Sequence, residues 1–217
     1  MKERFRQLRK GFQETLSFLG DIVILNLLFF ICSLPVVTIG AAATACYAGV
    51  SRTLLRKETG LVFRAFFADF RAAFRQATAG WLLQIGVFLI LAGDIWFALV
   101  YSEPNNTFFL IFAIAVGACV LLASLWFYPL VARFQNKLKV QLKNAFLLAF
   151  AQFPRTLLAL LVWMVALGLP LFVFEALAYF GWLWLLGGIS LPMYCTAALF
   201  RKTLRLEKSQ DENSLED

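Results

Sequence analysis

Every lysine and arginine of the chain lies in one of four short blocks, and the stretches between these blocks are almost wholly apolar. The blocks span Lys2–Lys10, Arg52–Arg75, Arg133–Arg155 and Arg201–Lys208, and they hold five, six, five and four basic residues. Cytoplasmic segments of membrane proteins carry an excess of lysine and arginine. We therefore expect all four blocks on one side of a bilayer. The chain would then cross the bilayer twice between each block and the next.

The composition supports lipid as the solvent for much of the chain. Hydrophobic residues make up 61% of the sequence and charged residues 15%, whereas a soluble domain is about 45–50% apolar and about 25% charged. A net charge of +7 would suggest nucleic acid in a soluble protein. In a membrane protein, the positive-inside bias and contact with anionic lipid explain it. The bilayer is thus an expected partner and nucleic acid is not.

Four apolar segments have the length of about 20 residues that a helix needs to cross a bilayer. They are residues 81–101, 108–132, 156–174 and 180–200. The connections near 102–107 and 175–179 are short and lack lysine and arginine. These segments therefore predict two helical hairpins, 81–132 and 156–200, that begin and end on the basic side.

The first apolar stretch, Ser17 to Val50, has 34 residues, which is long for one crossing and short for two. Because the basic blocks on either side must share a side, we interpret residues 17–55 as a tight hairpin. Pro35 removes a backbone donor and would break a helix, and Thr38 is expected to cap a second helix from about residue 39 to 55. The hairpin either crosses fully or stops short of the far surface, as a re-entrant loop does.

Three segments have apolar residues at helical spacing beside basic residues: 1–16, 61–76 and 138–153. Such helices suit the headgroup plane of the bilayer. The alternative is a docking surface for a cytoplasmic partner. The candidate partner face consists of Phe63, Phe66, Phe70, Phe74, Arg71 and Arg75.

Few polar residues interrupt the apolar segments, and at bilayer depth such residues are costly and often functional. The candidate polar membrane site comprises Asp21, Asn26, Gln84 and Asp94. The alternative is that each makes a local contact, at the interface for Asp21 and within the bundle for Asp94. Pro35, Pro129 and Pro192 are expected to break or kink three helices that run towards the basic side.

Hydrolytic and metal-dependent chemistry have little support in the sequence. The chain contains no histidine, so the Ser-His-Asp arrangement is excluded. Its four cysteines, Cys32, Cys46, Cys119 and Cys195, lie in apolar runs without C-x-x-C spacing. We expect no catalytic residue, no metal site and no cofactor, and therefore a protein that is not an enzyme.

Several motifs resemble the YesL-like family of bacterial multi-pass membrane proteins. The first block is Gly20-Asp21, Asn26, Ser33-Leu34-Pro35, Thr38 and Gly40-Ala41. Further blocks are Phe66, Phe70, Phe74 with Gln76-Ala77-Thr78, then Tyr128-Pro129 and Lys143-Asn144-Ala145-Phe146. The resemblance extends to about Arg205. It implies a link to carbohydrate uptake, since genes of the family often lie beside those for ABC transporter subunits and glycoside hydrolases. It implies no catalytic residues.

These observations predict an all-α polytopic membrane protein with about six crossing helices in three hairpins, plus amphipathic interfacial helices. One transmembrane domain is expected over residues 1–206, followed by a disordered tail at 207–217. We expect a bacterial plasma-membrane location with both termini cytoplasmic, and a non-enzymatic accessory or transport-related role. Its partners would be ABC transporter subunits or a second copy of the chain. The alternative is an independent small-solute transporter with a mid-membrane polar site.

Overall fold

The computed structural model describes residues 2–54, 62–100, 106–172 and 184–213. Over these residues the fold is all-helical and contains no strand, which confirms the predicted fold class. The helices are α1 (Lys2–Ser33), a 3-10 turn (Val36–Thr38), α2 (Ile39–Leu54), α3 (Val62–Val100), α4 (Asn106–Arg133), α5 (Leu138–Ala151), α6 (Phe153–Phe172) and α7 (Ser190–Asn213). The predicted connection at 175–179 and most of the one at 102–107 lie outside the described residues.

Three helical stretches are long and apolar enough to cross a membrane: Leu16–Ser33, Val62–Val100 and Thr107–Arg133. Helices α5 and α6 pass the same test only together, and they are bent by 98° to each other. The described part of the chain therefore holds three candidate crossings, or four if the bent pair counts as one. Six crossings in three hairpins stays a prediction.

The chain reverses between α1 and α2 at the predicted proline. Pro35 has φ −75° and ψ 113° and precedes the 3-10 turn. The Thr38 hydroxyl lies 2.6 Å from the Cys32 carbonyl and 2.7 Å from the Pro35 carbonyl. Thr38 therefore bonds one carbonyl in the last turn of α1 and one in the turn that follows it, and the prediction that it caps α2 is corrected. Helix α2 has 16 residues and is about 24 Å long, shorter than the hydrocarbon core of about 30 Å.

The α1–α2 turn lies halfway along α3. The Trp81 indole N–H donates to the Val36 carbonyl at 2.8 Å. A Cβ added at Gly40 would lie 2.5 Å from the Ala77 carbonyl oxygen, so α2 starts in backbone contact with α3. Since Trp81 precedes Val100 by about 29 Å along the helix, the turn is far from the end of α3.

Helix α3 is a single helix of 39 residues, about 58 Å long. The sequence predicted a separate amphipathic helix at 61–76, lying flat in the headgroup plane before a crossing at 81. This is corrected: no break separates the two segments. The sequence between Phe74 and Trp81 contains no proline, and nothing local ends the helix there.

The buried core lies at the end of the molecule that carries the basic residues. On α4 it comprises Trp126 to Val131, next to Arg133, and on α7 it includes Phe200, next to Arg201. The rest of α3, α4 and α6 exposes large apolar side chains, among them Ile90, Trp96, Phe108 and Met164. These are the surfaces that a bilayer would cover.

Helix α7 differs from the sequence prediction at both ends. Pro192 lies in its first turn, where a missing backbone donor costs little, so Pro192 does not break a helix. The break lies at Gly188 and Ile189, after a helical turn at 184–187. The predicted disordered tail from Glu207 is helical as far as Asn213. Pro129, by contrast, lies inside α4 as predicted.

Candidate functional site

Asn26 of α1 forms hydrogen bonds to the backbone on both sides of the helix break that precedes α7. Its side chain is fully buried. The amide nitrogen donates to the Leu185 carbonyl at 2.6 Å and to the Trp184 carbonyl at 3.2 Å. The amide oxygen accepts from the backbone N–H groups of Ile189 at 3.0 Å and Ser190 at 3.1 Å. One side chain therefore satisfies the carboxyl end of one helical turn and the amino end of the next helix.

Two further contacts fix the backbone around this helix break. The Ser190 hydroxyl donates to the Ile22 carbonyl at 3.0 Å, which ties α7 to α1. A Cβ at Gly188 would lie 2.6 Å from the Trp184 ring and carbonyl, so the break needs a glycine. Backbone groups inside a membrane protein must find protein partners. The arrangement of Asn26 is that of a structural clamp with its hydrogen-bonding atoms occupied.

The other three predicted polar residues lie elsewhere. Gln84 accepts a hydrogen bond from the Tyr128 hydroxyl at 2.8 Å, which joins α3 to α4. Asp94 is exposed and lies about 15 Å beyond Gln84 along α3. Asp21 is buried and makes no hydrogen bond or ion pair within the described part of the chain. The structure therefore gives these residues separate contacts, and none of them hydrogen-bonds to Asn26.

A second buried polar cluster, which the sequence analysis did not single out, joins α4, α6 and α7. The Trp126 indole donates to the Thr156 hydroxyl at 2.9 Å, and its ring stacks on Phe200 at 3.7 Å. Thr156 lies 3.0 Å from the Ala149 carbonyl at the α5–α6 bend. Arg155 donates to Thr203 beside it. The only sequence signal for this cluster was a polar residue at the start of a crossing segment.

The predicted partner face is divided by the packing of α3. Phe66 is fully buried, and Phe70 packs against the core, so both belong to the interior and not to a docking surface. Phe63 and Phe74 remain exposed, at 57% and 38% of their surface, as does Phe67 at 39%. The exposed aromatic set is thus Phe63, Phe67 and Phe74, of which the sequence analysis named the first and last.

Basic side chains share this exposed face. Arg71 and Arg75, predicted as part of it, are exposed, and so is Arg64. The one acidic residue of this half of α3, Asp69, pairs with Arg52 of α2, and burial lowers the pKa of the Arg52 guanidinium. Among the described residues, none of the three exposed arginines has an ion-pair partner. The face therefore combines exposed apolar rings with three exposed positive charges.

Metal and redox chemistry find no support within the described residues. No group of three His, Cys, Asp or Glu side chains there could hold a metal ion. The four cysteines are free thiols.

Residues 22–95 match the family described as "Protein of unknown function, DUF624". DUF624 is the YesL-like family, so the resemblance is supported over α1 from Ile22, α2 and most of α3. The Tyr128-Pro129 and Lys143–Phe146 blocks lie outside the matched residues. No significant match was found among curated proteins or among solved structures.

Proposed function

We propose that this chain is a non-enzymatic accessory protein of the bacterial plasma membrane that docks a cytoplasmic partner through the first half of α3. The docking face consists of Phe63, Phe67 and Phe74 with Arg64, Arg71 and Arg75. The link to carbohydrate uptake rests on the resemblance to the YesL-like family alone, because the DUF624 family that matches residues 22–95 is described as of unknown function. On this basis an ABC transporter subunit is the proposed partner.

The length of α3 carries this proposal. At the usual tilt of about 20° the helix would extend about 55 Å along the membrane normal, against about 40–45 Å for a bilayer with its headgroups. Since Arg64, Arg71 and Arg75 lie in its first half, that end would be the one that protrudes. The excess of about 10–15 Å corresponds to roughly seven to ten residues, which places Phe63 and Phe67 beyond the headgroups and Phe74 and Arg75 at the headgroup level. Exposed phenylalanines outside the bilayer cannot be covered by lipid. An apolar patch in water usually marks a protein interaction site.

The charge of the face suggests the chemistry of the partner. Aromatic residues and arginine are the groups that contribute most to protein interfaces. Three arginines that form no ion pair with any residue the structure describes favour a partner surface that supplies carboxylates. The same arginines favour a cytoplasmic position for this end under the positive-inside rule, with both termini on that side.

The alternative, an independent transporter with a mid-membrane polar site, has less support. A transport site needs polar groups that are free to bind a solute. The hydrogen-bonding atoms of Asn26 are engaged by the backbone of residues 184–190, and Gln84 is engaged by Tyr128. No described group of free polar side chains favours this alternative.

The proposal is tested by removing the exposed ring pair Phe63 and Phe67, whose centroids are 4.9 Å apart. Phe63→Ser with Phe67→Ser should reduce co-purification of transporter subunits from native membranes by about tenfold or more, because two interface aromatics are lost. The readout is quantitative mass spectrometry after affinity purification of the full chain.

The matched control removes an equivalent ring pair at the opposite end of the molecule. Phe108 and Phe109 of α4 are exposed, with centroids 6.0 Å apart, and Phe108→Ser with Phe109→Ser should retain the subunits. Equal recovery of subunits with both double variants and the wild type would contradict the proposal. Equal loss with both would indicate a general defect in folding and would contradict the assignment of this face.

A further inference from the structure

Helix α5 packs with its small residues inward and its large ones outward. Ala145 and Ala149 are buried together with Gln141, whereas Phe146 and Phe150 are about half exposed. The Gln141 amide nitrogen donates to the Phe134 carbonyl at 2.5 Å, which fixes α5 against the end of α4. A helix fixed in this way presents its large side chains to something outside the described fold.

The exposed face of α5 has a basic part and an aromatic part along its length. Lys139 and Lys143 lie in its first turns, and Phe146 and Phe150 in its last turns, all of them exposed. Helical geometry places these four within one outward sector, because they recur at spacings of three, four, seven and eleven residues. The sequence from 134 to 174 contains no acidic residue, so no neighbouring carboxylate along the chain neutralises the lysines.

The orientation of α5 follows from the helix after it. The bend between α5 and α6 is 98°. If α6 runs through the bilayer, as its exposed Leu157, Leu161 and Met164 favour, α5 lies close to the membrane plane. Phe153, at the bend, is also exposed. The exposed apolar surface of α6 therefore continues around the bend through Phe153 to Phe150 of α5.

We propose that α5 is a leaflet-binding helix with a site for anionic phospholipid. Lys139 and Lys143 bind headgroup phosphates, and Phe146 and Phe150 enter the acyl region beside them. Two observations favour lipid over a protein occupant: the surface is continuous with the lipid-facing side of α6, and its aromatic part lies at the bend where α6 enters the membrane. Lysine stems can lie along apolar surface while the ammonium groups reach the phosphates. The proposal is independent of the docking face on α3.

The first test measures lipid selectivity. The full chain is reconstituted in nanodiscs of phosphatidylcholine and phosphatidylglycerol, and retained lipids are counted by native mass spectrometry. The wild type should retain phosphatidylglycerol preferentially. Lys139→Gln with Lys143→Gln should lower this preference by about 25-fold, at about fivefold per lysine. The control, Arg201→Gln with Lys202→Gln, removes the same charge from exposed positions on α7 and should keep the preference.

The second test identifies the occupant directly in native membranes. Phe150→p-benzoylphenylalanine should give phospholipid adducts on irradiation, as should the same substitution at Leu161 of α6. A protein adduct at position 150, either with another protein or with a second copy of the chain, would overturn the proposal. So would equal lipid selectivity in the wild type and the α5 double variant, or equal loss in that variant and its α7 control.

Discussion

Buried and partly buried polar side chains bond the backbone at the helix ends of this fold. Asn26 bridges the break before α7, Gln141 bonds the carbonyl that follows α4, and Thr38 bonds the Cys32 carbonyl in the last turn of α1. Each such group would otherwise lie in an apolar environment without a hydrogen bond, which costs about 1–3 kcal/mol. The polar residues that interrupt the apolar sequence therefore serve the backbone first.

Asn26→Leu tests how much these side-chain hydrogen bonds contribute to stability, at the residue that forms the most of them. The substitution keeps the number and branching of the side-chain heavy atoms but leaves the Leu185 carbonyl and the Ile189 and Ser190 N–H groups without the Asn26 amide. The Trp184 carbonyl keeps its hydrogen bond from the Gly188 N–H. We expect a loss of about 3 kcal/mol or more, which should lower the thermal midpoint in detergent by roughly 5–10 °C.

The control for this variant is Leu27→Ala at the neighbouring position. Leu27 is 43% exposed, so truncating it breaks no hydrogen bond and leaves no closed cavity. Its midpoint should stay close to that of the wild type. A midpoint for Asn26→Leu as high as that of Leu27→Ala would mean that the clamp contributes nothing to stability.

Sequence reasoning found Asn26 but not its role. Polarity in an apolar segment marked the residue, whereas its partners lie 158 to 164 positions away and no local pattern encodes them. The same holds for Trp126 and Thr156, which meet across two helices. The Gly187-Gly188 pair was a local signal for the break, whereas the prediction placed the break at Pro192.

At the scale of helices, α2 shows how small residues set the packing. The first half of α2, residues 39–46, contains only one residue larger than threonine, namely Ile39, and nearly all of this half is buried. Gly40 lets α2 approach the backbone of α3 at Ala77. This agrees with the close packing that the run of alanines and glycines predicts.

Gly40→Ala should therefore destabilise the protein. The new Cβ would lie 2.5 Å from the Ala77 carbonyl oxygen and 2.7 Å from the Trp81 Cβ, and neither is the flexible end of a side chain. Overpacking of this kind costs about 1–3 kcal/mol. The expected result is a lower thermal midpoint of the purified protein in detergent.

Gly86→Ala is the matched control on α3, since nothing lies within 4 Å of its added Cβ. Alanine in an open helical position is favoured over glycine by about 1 kcal/mol, so this midpoint should be unchanged or higher. If both alanine variants shift the midpoint in the same direction, the close approach of α2 and α3 at Gly40 is not what limits stability.

The periodicity of the sequence predicted helices correctly and their continuity less well. Phenylalanines at helical spacing indicated a helix from residue 63, and an apolar run indicated a crossing from residue 81. Nothing in Arg75-Gln76-Ala77-Thr78-Ala79-Gly80 requires a break, and α3 passes straight through. Because amphipathic and apolar segments suggested different environments, they were interpreted as different helices.

At the scale of the molecule, the helices reach different distances from the basic end. Helices α3 and α4 extend beyond the core as a hairpin whose large side chains are mostly exposed. The α1–α2 turn meets α3 at Trp81, near the middle of that helix. The sequence left open whether the first hairpin crosses fully, because the proline break fits both versions. The contact at Trp81 favours the version that stops short of the far surface.

Cysteine accessibility distinguishes the two versions. Thr107→Cys at the start of α4 and Leu34→Cys at the α1–α2 turn are compared in intact cells with a membrane-impermeant maleimide, and the wild type gives the background of the four native cysteines. Since the turn lies about 29 Å short of Val100 along α3, only Thr107→Cys should react. In detergent both should react, because Leu34 is 80% exposed and protein packing does not shield it. Reaction of Leu34→Cys in intact cells at the rate of Thr107→Cys would place the turn at the outer surface, and the first hairpin would then be a full pair of crossings.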